Sequence, residues 1–195
     1  MSVVPKNRSQ TLLAVLIAVA IPAMFVVSGC SGRATSGAGD SSSLEATAGT
    51  FPATTPNPGV QPPPPALKDP RTAVYSYQLW ISYAYRVLRS DVASRTFDPY
   101  EEVRVDSYVQ FNREKGRAID QRLLVANLKS YETQGSTSTV ALHEEWAYRY
   151  IDTRTGKYES PVLNAAYETT YTVVREGSDW VVHSVDASST GVPVE

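Results

Sequence analysis

The sequence predicts an α+β domain: two N-terminal helices packed on a curled, cone-like four-stranded antiparallel sheet, preceded by a disordered linker. Three observations predict it. Two Asp-Pro steps, Asp69-Pro70 and Asp98-Pro99, each open a run with helical spacing. After Gly116 the apolar period shortens to that of a strand. Short Gly-containing breaks then divide the remainder into four runs rich in Val, Thr, Tyr and Trp. Of 19 aromatic residues, 17 lie beyond Pro70, so the core belongs to the C-terminal two thirds of this 195-residue chain. That length suits one ordinary domain.

The first element is an address. Lys6 and Arg8 precede Leu12 to Val27, sixteen uncharged residues broken only by Pro22, and Val27-Ser28-Gly29-Cys30 follows. A basic start, an apolar stretch and small residues at its end are the parts of a secretory signal. Val-Ser-Gly-Cys resembles the lipobox of bacterial lipoproteins. The resemblance implies cleavage between Gly29 and Cys30, a diacylglycerol on the Cys30 thiol, and acyl chains of the palmitate class holding the chain to one leaflet. Two plainer readings compete: an 18-residue uncharged run to Gly29 at the lower edge of a membrane span, or an incidental thiol. The cysteine is the only one in the chain, which excludes disulfides and Cys-based zinc. Residues 1–29 thus read as the signal. Their loss removes Lys6 and Arg8 and no acid, taking the formal charge from −2 to −4.

Residues 30–68 read as the lipidated cysteine and a tether. Between Ser31 and Lys68, Ser, Gly, Thr and Pro make up 22 of 38 residues, too little apolar material to offset the entropy of ordering. Pro62 to Pro65 should stiffen into polyproline II. They read as stalk, with a proline-recognition ligand as the sharper alternative.

Residues 69–195 form the predicted domain. Asp69 is an N-cap acceptor and Pro70 suits the first helical position. Val74, Tyr77, Ile81, Ala84 and Leu88 recur at helical spacing, and Tyr75, Leu79, Trp80 and Tyr83 make the remaining surface apolar. This helix should therefore be wrapped on more than one side. Asp98-Pro99 opens a second helix to about Lys115, with Glu101 placed as a capping-box acid and Gly116 as the stop. Val103, Val105, Val109 and Phe111 also alternate like a strand, but the caps at both ends favour helix. The strands follow as Ile119 to Glu132, Ser138 to Thr153, Lys157 to Glu176 and Asp179 to Ser188. Their short breaks predict a meander of hairpins. Leu142, Glu144, Trp146 and Tyr148 share one face of the second run, and Tyr167, Thr169, Tyr171 and Val173 one face of the third.

Helix, helix and a long meander resemble the cone of the nuclear-transport-factor-2-like superfamily. Glu144-Glu145-Trp146-Ala147-Tyr148, Tyr167 to Val173 and Asp179-Trp180-Val181-Val182 look like the strands of a branch that includes the intermembrane-space domain of chloroplast division proteins. The resemblance implies the fold. Enzymes of the superfamily, isomerases, dehydratases and cyclases, set an Asp or His base with a Tyr donor inside the cone mouth.

Candidate sites follow from the predicted inner face. His183, between Val181 and Val185, is the better buried base, whereas His143 lies with Glu145 and Arg149 on the outer face. No carboxylate spacing fixes an acid beside either histidine. Glu144 shares the inner face, so it must find a partner or take a raised pKa; Arg122, Tyr171 or a cap donor are the candidate partners. Trp80, Tyr83, Tyr108, Trp146, Tyr148, Tyr167 and Tyr171 either fill the core or, with Glu144 and His183, line a pocket for a small apolar ligand. No metal, nucleotide or nucleophile-elbow pattern is present and no cofactor is implied. With 18 basic against 20 acidic residues, no basic surface is on offer to nucleic acid. The expectation is a lipid-anchored envelope protein, not an enzyme, that binds a protein partner. Binding of a small apolar ligand is the alternative, and a small-molecule isomerase or hydrolase the third.

Overall fold

The structure, a computed structural model, describes residues 57–190. The lipobox, Cys30 and most of the expected tether lie outside them. Helix α1 spans Pro70–Val87 and helix α2 Pro99–Glu114; strands β1 (Arg117–Gln134), β2 (Thr137–Asp152), β3 (Leu163–Glu176) and β4 (Asp179–Ser189) form one antiparallel sheet in that order. A 3-10 helix at Ser90–Thr96, which the sequence did not announce, joins the two helices.

Both Asp-Pro caps form. Asp69 accepts from the Arg71 and Thr72 amides at 3.0 and 3.3 Å, and Asp98 from those of Tyr100 and Glu101 at 3.0 and 3.2 Å. Twelve of the eighteen α1 residues are buried, so this helix is wrapped as its composition requires. In α2 the buried positions are Glu101, Val105, Val109 and Asn112, a helical stripe that leaves Val103 and Phe111 outside. Glu101 does not reach back to its cap. It is buried, and it pairs with Arg104 and the Tyr77 hydroxyl instead.

The β1–β2 and β3–β4 connections are two-residue Gly-Ser turns. Gly135 and Gly177, the first turn residues, sit at φ +60°, the pattern of a type II′ hairpin that follows the right-handed sheet twist. Register shifts at Leu123/Val125 and Leu128/Ser130 of β1 are bulges, and bulges bend a strand. They curl the sheet around α1. The third strand starts at Leu163, later than its composition suggested: Asp152 accepts from the Arg154 and Thr155 amides, and Pro161 has no N–H to give a ladder.

The boundary at Asp69 also moves. Leu67 is 4 % exposed and belongs to the core cluster with Val74, Trp180 and Val182. Its carbonyl accepts from the Trp180 amide at 2.7 Å. The proline-rich end of the expected tether is therefore packed on the domain.

Candidate functional site

Glu144 is the centre of a buried polar cluster. The alternation of β2 turns Val140 and Leu142 into the core, and two residues on it carries the carboxyl inward, leaving Glu144 3 % exposed. One oxygen accepts from Gln78 Nε2 at 2.6 Å and from the Tyr171 hydroxyl at 2.7 Å. The other accepts from Trp146 Nε1 at 2.9 Å and from Thr169 Oγ1 at 3.2 Å. All four donors are neutral, and α1, β2 and β3 each supply at least one. Burial, then the Glu144 charge, holds the Tyr171 hydroxyl well above the usual tyrosine range. Gln78 Oε1 is buried with no hydrogen-bond partner among the described residues. A carboxylate engaged in this way is a fixed acceptor that ties helix to sheet, and it lines none of the cavities described below.

Arg122 does not serve Glu144. It pairs with Asp120 at 3.5 Å on the other face of the sheet, where Asp120 is 4 % exposed and accepts from the Tyr158 hydroxyl at 2.6 Å. The β2–β3 loop folds back over that face, and the Arg149 guanidinium stacks on the Tyr158 ring at 3.3 Å. Sequence reasoning missed this group, because Tyr158 reaches Asp120 only after the loop doubles back.

His183 is not an inward-facing base: its side chain is 38 % exposed, and its ring stacks on Tyr100 with centroids 4.6 Å apart. Between Thr172↔Ser184 and Val173↔Val182 the register slips by one residue, a bulge at His183. Trp180 and Val182 consequently face the core before it and Val185 after it, so Val181 and Val185 do not share a face. No spacing places a carboxylate beside either histidine, but the fold brings one to each. His183 Nδ1 lies 2.6 Å from Asp98 Oδ2, and His143 Nδ1 2.8 Å from Glu168 Oε1. The first pair joins the cap of α2 to the β4 bulge, with the Asp98 amide donating to the Val182 carbonyl at 3.0 Å.

The predicted aromatic set is dispersed. Tyr108, Trp146, Tyr148 and Tyr167 line one cavity of about 210 Å³ with Ile119 and Gln121. Tyr171 is in the core beside Tyr77. Trp80 and Tyr83 pack edge to face elsewhere, and Trp80 lies under the proline-rich segment. The larger concavity was not foreseen. A groove of about 1140 Å³ runs between α2 and β4, lined by Tyr100, Val103, Arg104, Tyr108, Phe111 and Val185 among others. Tyr100 and Val103 are 67 % and 68 % exposed. The strand-like alternation of Val103, Val105, Val109 and Phe111 was the trace of this helix being apolar on two faces.

Among the described residues no group of His, Cys, Asp and Glu is arranged to hold a metal ion, and no helix is long and apolar enough to cross a membrane. No family model matches the chain, and no curated protein matches it in sequence. Among solved structures, the fold is similar to the crystal structure of the intermembrane space region of the chloroplast protein ARC6. The TM-score is 0.55 at 19 % identity, with 63 % of this chain and 98 % of that one covered, a likeness of fold.

Proposed function

We propose that this chain is an envelope lipoprotein, anchored through a diacylglyceryl group on Cys30, whose folded domain docks a protein partner in the groove between α2 and β4. The observation that carries the reading is the exposed apolar outer face of α2 beside a sheet edge. Tyr100, Val103 and Phe111 stand open to solvent, and β4 is the terminal strand of its sheet. The preceding segment covers that edge only as far as Val182. An apolar patch of this kind on a folded domain marks an interaction site. An unpaired edge favours an extended segment that adds main-chain hydrogen bonds while alternate side chains fill the groove. The fold is also that of a region which, in its own protein, lies in an intermembrane space.

Cross-linking in the protein's own membrane tests it. Val103→Asp and Phe111→Asp, at exposed positions, should abolish capture of a partner that the wild-type chain captures, with the melting temperature unchanged. Equal capture by both variants would sink the docking reading. Cys30→Ala should release the chain from the membrane fraction or leave it unprocessed, and a lipid-modified Cys30→Ala product would contradict the anchor.

A second reading rests on the cavity under Tyr108, Trp146, Tyr148 and Tyr167. At about 210 Å³ it is smaller than the usual ligand site, so it suits a compact apolar molecule. Native mass spectrometry of protein purified from its membrane should then show a bound small molecule, lost in Trp146→Ala.

A further inference from the structure

The proline-rich segment is the one strong motif that neither reading above absorbs, and it is where composition and structure disagree most. From Pro62 to Lys68 the chain is fastened at four points. Trp80 Nε1 donates to the Pro63 carbonyl at 3.1 Å, and the Ala66 amide donates to Ser76 Oγ at 2.9 Å. The Trp180 amide donates to the Leu67 carbonyl at 2.7 Å, and Lys68 Nζ lies 2.5 Å from Asp179 Oδ1. Ser76 and Trp80 stand one turn apart on α1, so one helix face serves the segment. The start of β4 holds its end.

Four consecutive prolines pre-set this conformation. Each fixes its own φ, and Gln61, Pro62, Pro63 and Pro64, each preceding a proline, are pushed to the extended region. Such a segment has already lost most of its freedom, so docking orders little. It has no internal hydrogen bonds, so its carbonyls are free to accept. Trp80 supplies one aromatic wall, and its indole N–H donating to a carbonyl within a proline run suits the way grooves with aromatic walls take polyproline segments. The seat is also not filled. A space of about 220 Å³ remains between Pro62, Pro64 and Pro65 on one wall and Trp80, Val92, Arg95 and Thr96 on the other. The sheet ladders do not include the segment, so it can leave without opening them.

We infer that the surface around Trp80 is a polyproline-binding groove occupied in cis by residues 61–68, and that a proline-rich segment of another polypeptide displaces this strap and binds in its place. The inference does not depend on the α2–β4 groove or on the lipid anchor.

The test uses the full chain in detergent and a fluorescein-labelled peptide of residues 61–68 as probe. A strap attached through so short a connection has an effective concentration in the millimolar range, so the wild-type chain should bind the probe only weakly. Leu67→Asp, which cannot bury its side chain, should empty the groove and bind the probe at least about tenfold tighter. Adding Trp80→Phe, which keeps a ring and removes the N–H, should weaken that binding about fivefold, the worth of one hydrogen bond. The same peptide with alanine for each proline should not bind. In parallel, hydrogen exchange at the Ala66 amide of the wild-type chain should accelerate in excess probe, a readout that does not require Leu67→Asp to fold. Unchanged Ala66 exchange at several millimolar probe overturns the inference. So does a cooperatively folding Leu67→Asp chain that binds no better than wild type, or binding indifferent to Trp80→Phe. Concentration-dependent dimers of the wild-type chain, abolished by Trp80→Phe, would put a second copy's strap in the groove and overturn the assignment of a foreign occupant.

Discussion

Replacing Glu144 with alanine removes an acceptor shared by four side chains. Thr169 holds the longest of the four bonds, at 3.2 Å, and so loses least, and Trp146 is partly exposed and can reach water. Tyr171 and Gln78 are 3 % and 2 % exposed, and the Tyr171 hydroxyl and the Gln78 amide N–H lose their carboxylate acceptor. They have only each other, at 3.3 Å. If the Gln78 amide flips, its carbonyl, now unpartnered, accepts from Tyr171, and the NH2 group is the one left orphaned. A buried donor without an acceptor costs about 1–3 kcal/mol, and the space left by the side chain adds a cavity penalty. Recovery of the carboxylate's desolvation works the other way. The net loss should be about 3 kcal/mol, which for a domain of this size lowers the melting temperature by about 10 °C. Glu144→Gln, which keeps the volume but points an NH2 group at Trp146 or Tyr171, should lose about half as much. Thermal and urea unfolding followed by circular dichroism give these values, and the urea slope should not change. The decisive measurement is the cycle with Tyr171→Phe. Because the orphaned hydroxyl is part of the Glu144→Ala penalty, the double variant should lose less than the two singles together by about 1 kcal/mol. A Glu144→Ala loss under about 0.5 kcal/mol, or strict additivity with Tyr171→Phe, would refute the claim that this carboxylate holds α1 to the sheet.

Other expectations follow from the α2 cap, the buried tyrosines and the hairpin turns. Asp98→Ala removes an N-cap and the partner of His183, and should cost about 1–2 kcal/mol in thermal unfolding, whereas Asp98→Asn keeps the cap and should cost less. Burial raises the Tyr77, Tyr85 and Tyr171 hydroxyls above their ordinary value of 10.0. Up to about that pH both folded and unfolded chains hold the protons; above it only the unfolded chain releases them, so stability should be complete below about pH 10 and fall as pH rises further. A flat pH 9–12 melting profile would contradict that burial. Gly177→Ala forces a side chain into φ +60° and should lower stability by about 1 kcal/mol, while Gly177→Asn should recover part of it.

How far the sequence is legible depends on the range of the interaction. Both helix starts can be read because an Asp-Pro cap is settled within four residues, and the Gly-Ser turns because a type II′ hairpin asks for glycine at one position. Glu144 is legible as a buried acid from alternation alone. Its donor on α1 is not, since Gln78 faces it only because of how the helix is rotated on the sheet. The His183–Asp98 pair spans 85 residues, and no spacing rule reaches that far. The parity of β4 fails for a different reason. A bulge adds one residue without a marker in the sequence, and every side chain after it changes face. The proline run was misjudged by composition, which counts apolar residues in the segment but cannot count the indole N–H waiting on α1.

The bulge at His183 also governs the groove. Before it, the outer edge of β4 is engaged, with the Trp180 amide on the strap and the Val182 carbonyl on Asp98. At it, the ring of His183 is gripped by Asp98 and covered by Tyr100, which fixes the first turn of α2 against the sheet. Beyond it, Ser184, Val185 and Asp186 form the wall facing Val103, Tyr108 and Phe111. The α2 wall is therefore fastened at its N-terminus by a capped, stacked and hydrogen-bonded joint. A groove held open in this way does not have to be ordered when something binds, so more of the contact energy appears as affinity. The same joint explains why a histidine and an aspartate at hydrogen-bonding distance need not be read as a base and its orienter. Each has a structural partner on the other side, the amides of α2 for Asp98 and the face of Tyr100 for His183. Loosening that joint should therefore weaken partner capture through the groove even where the side chains that touch the partner are intact.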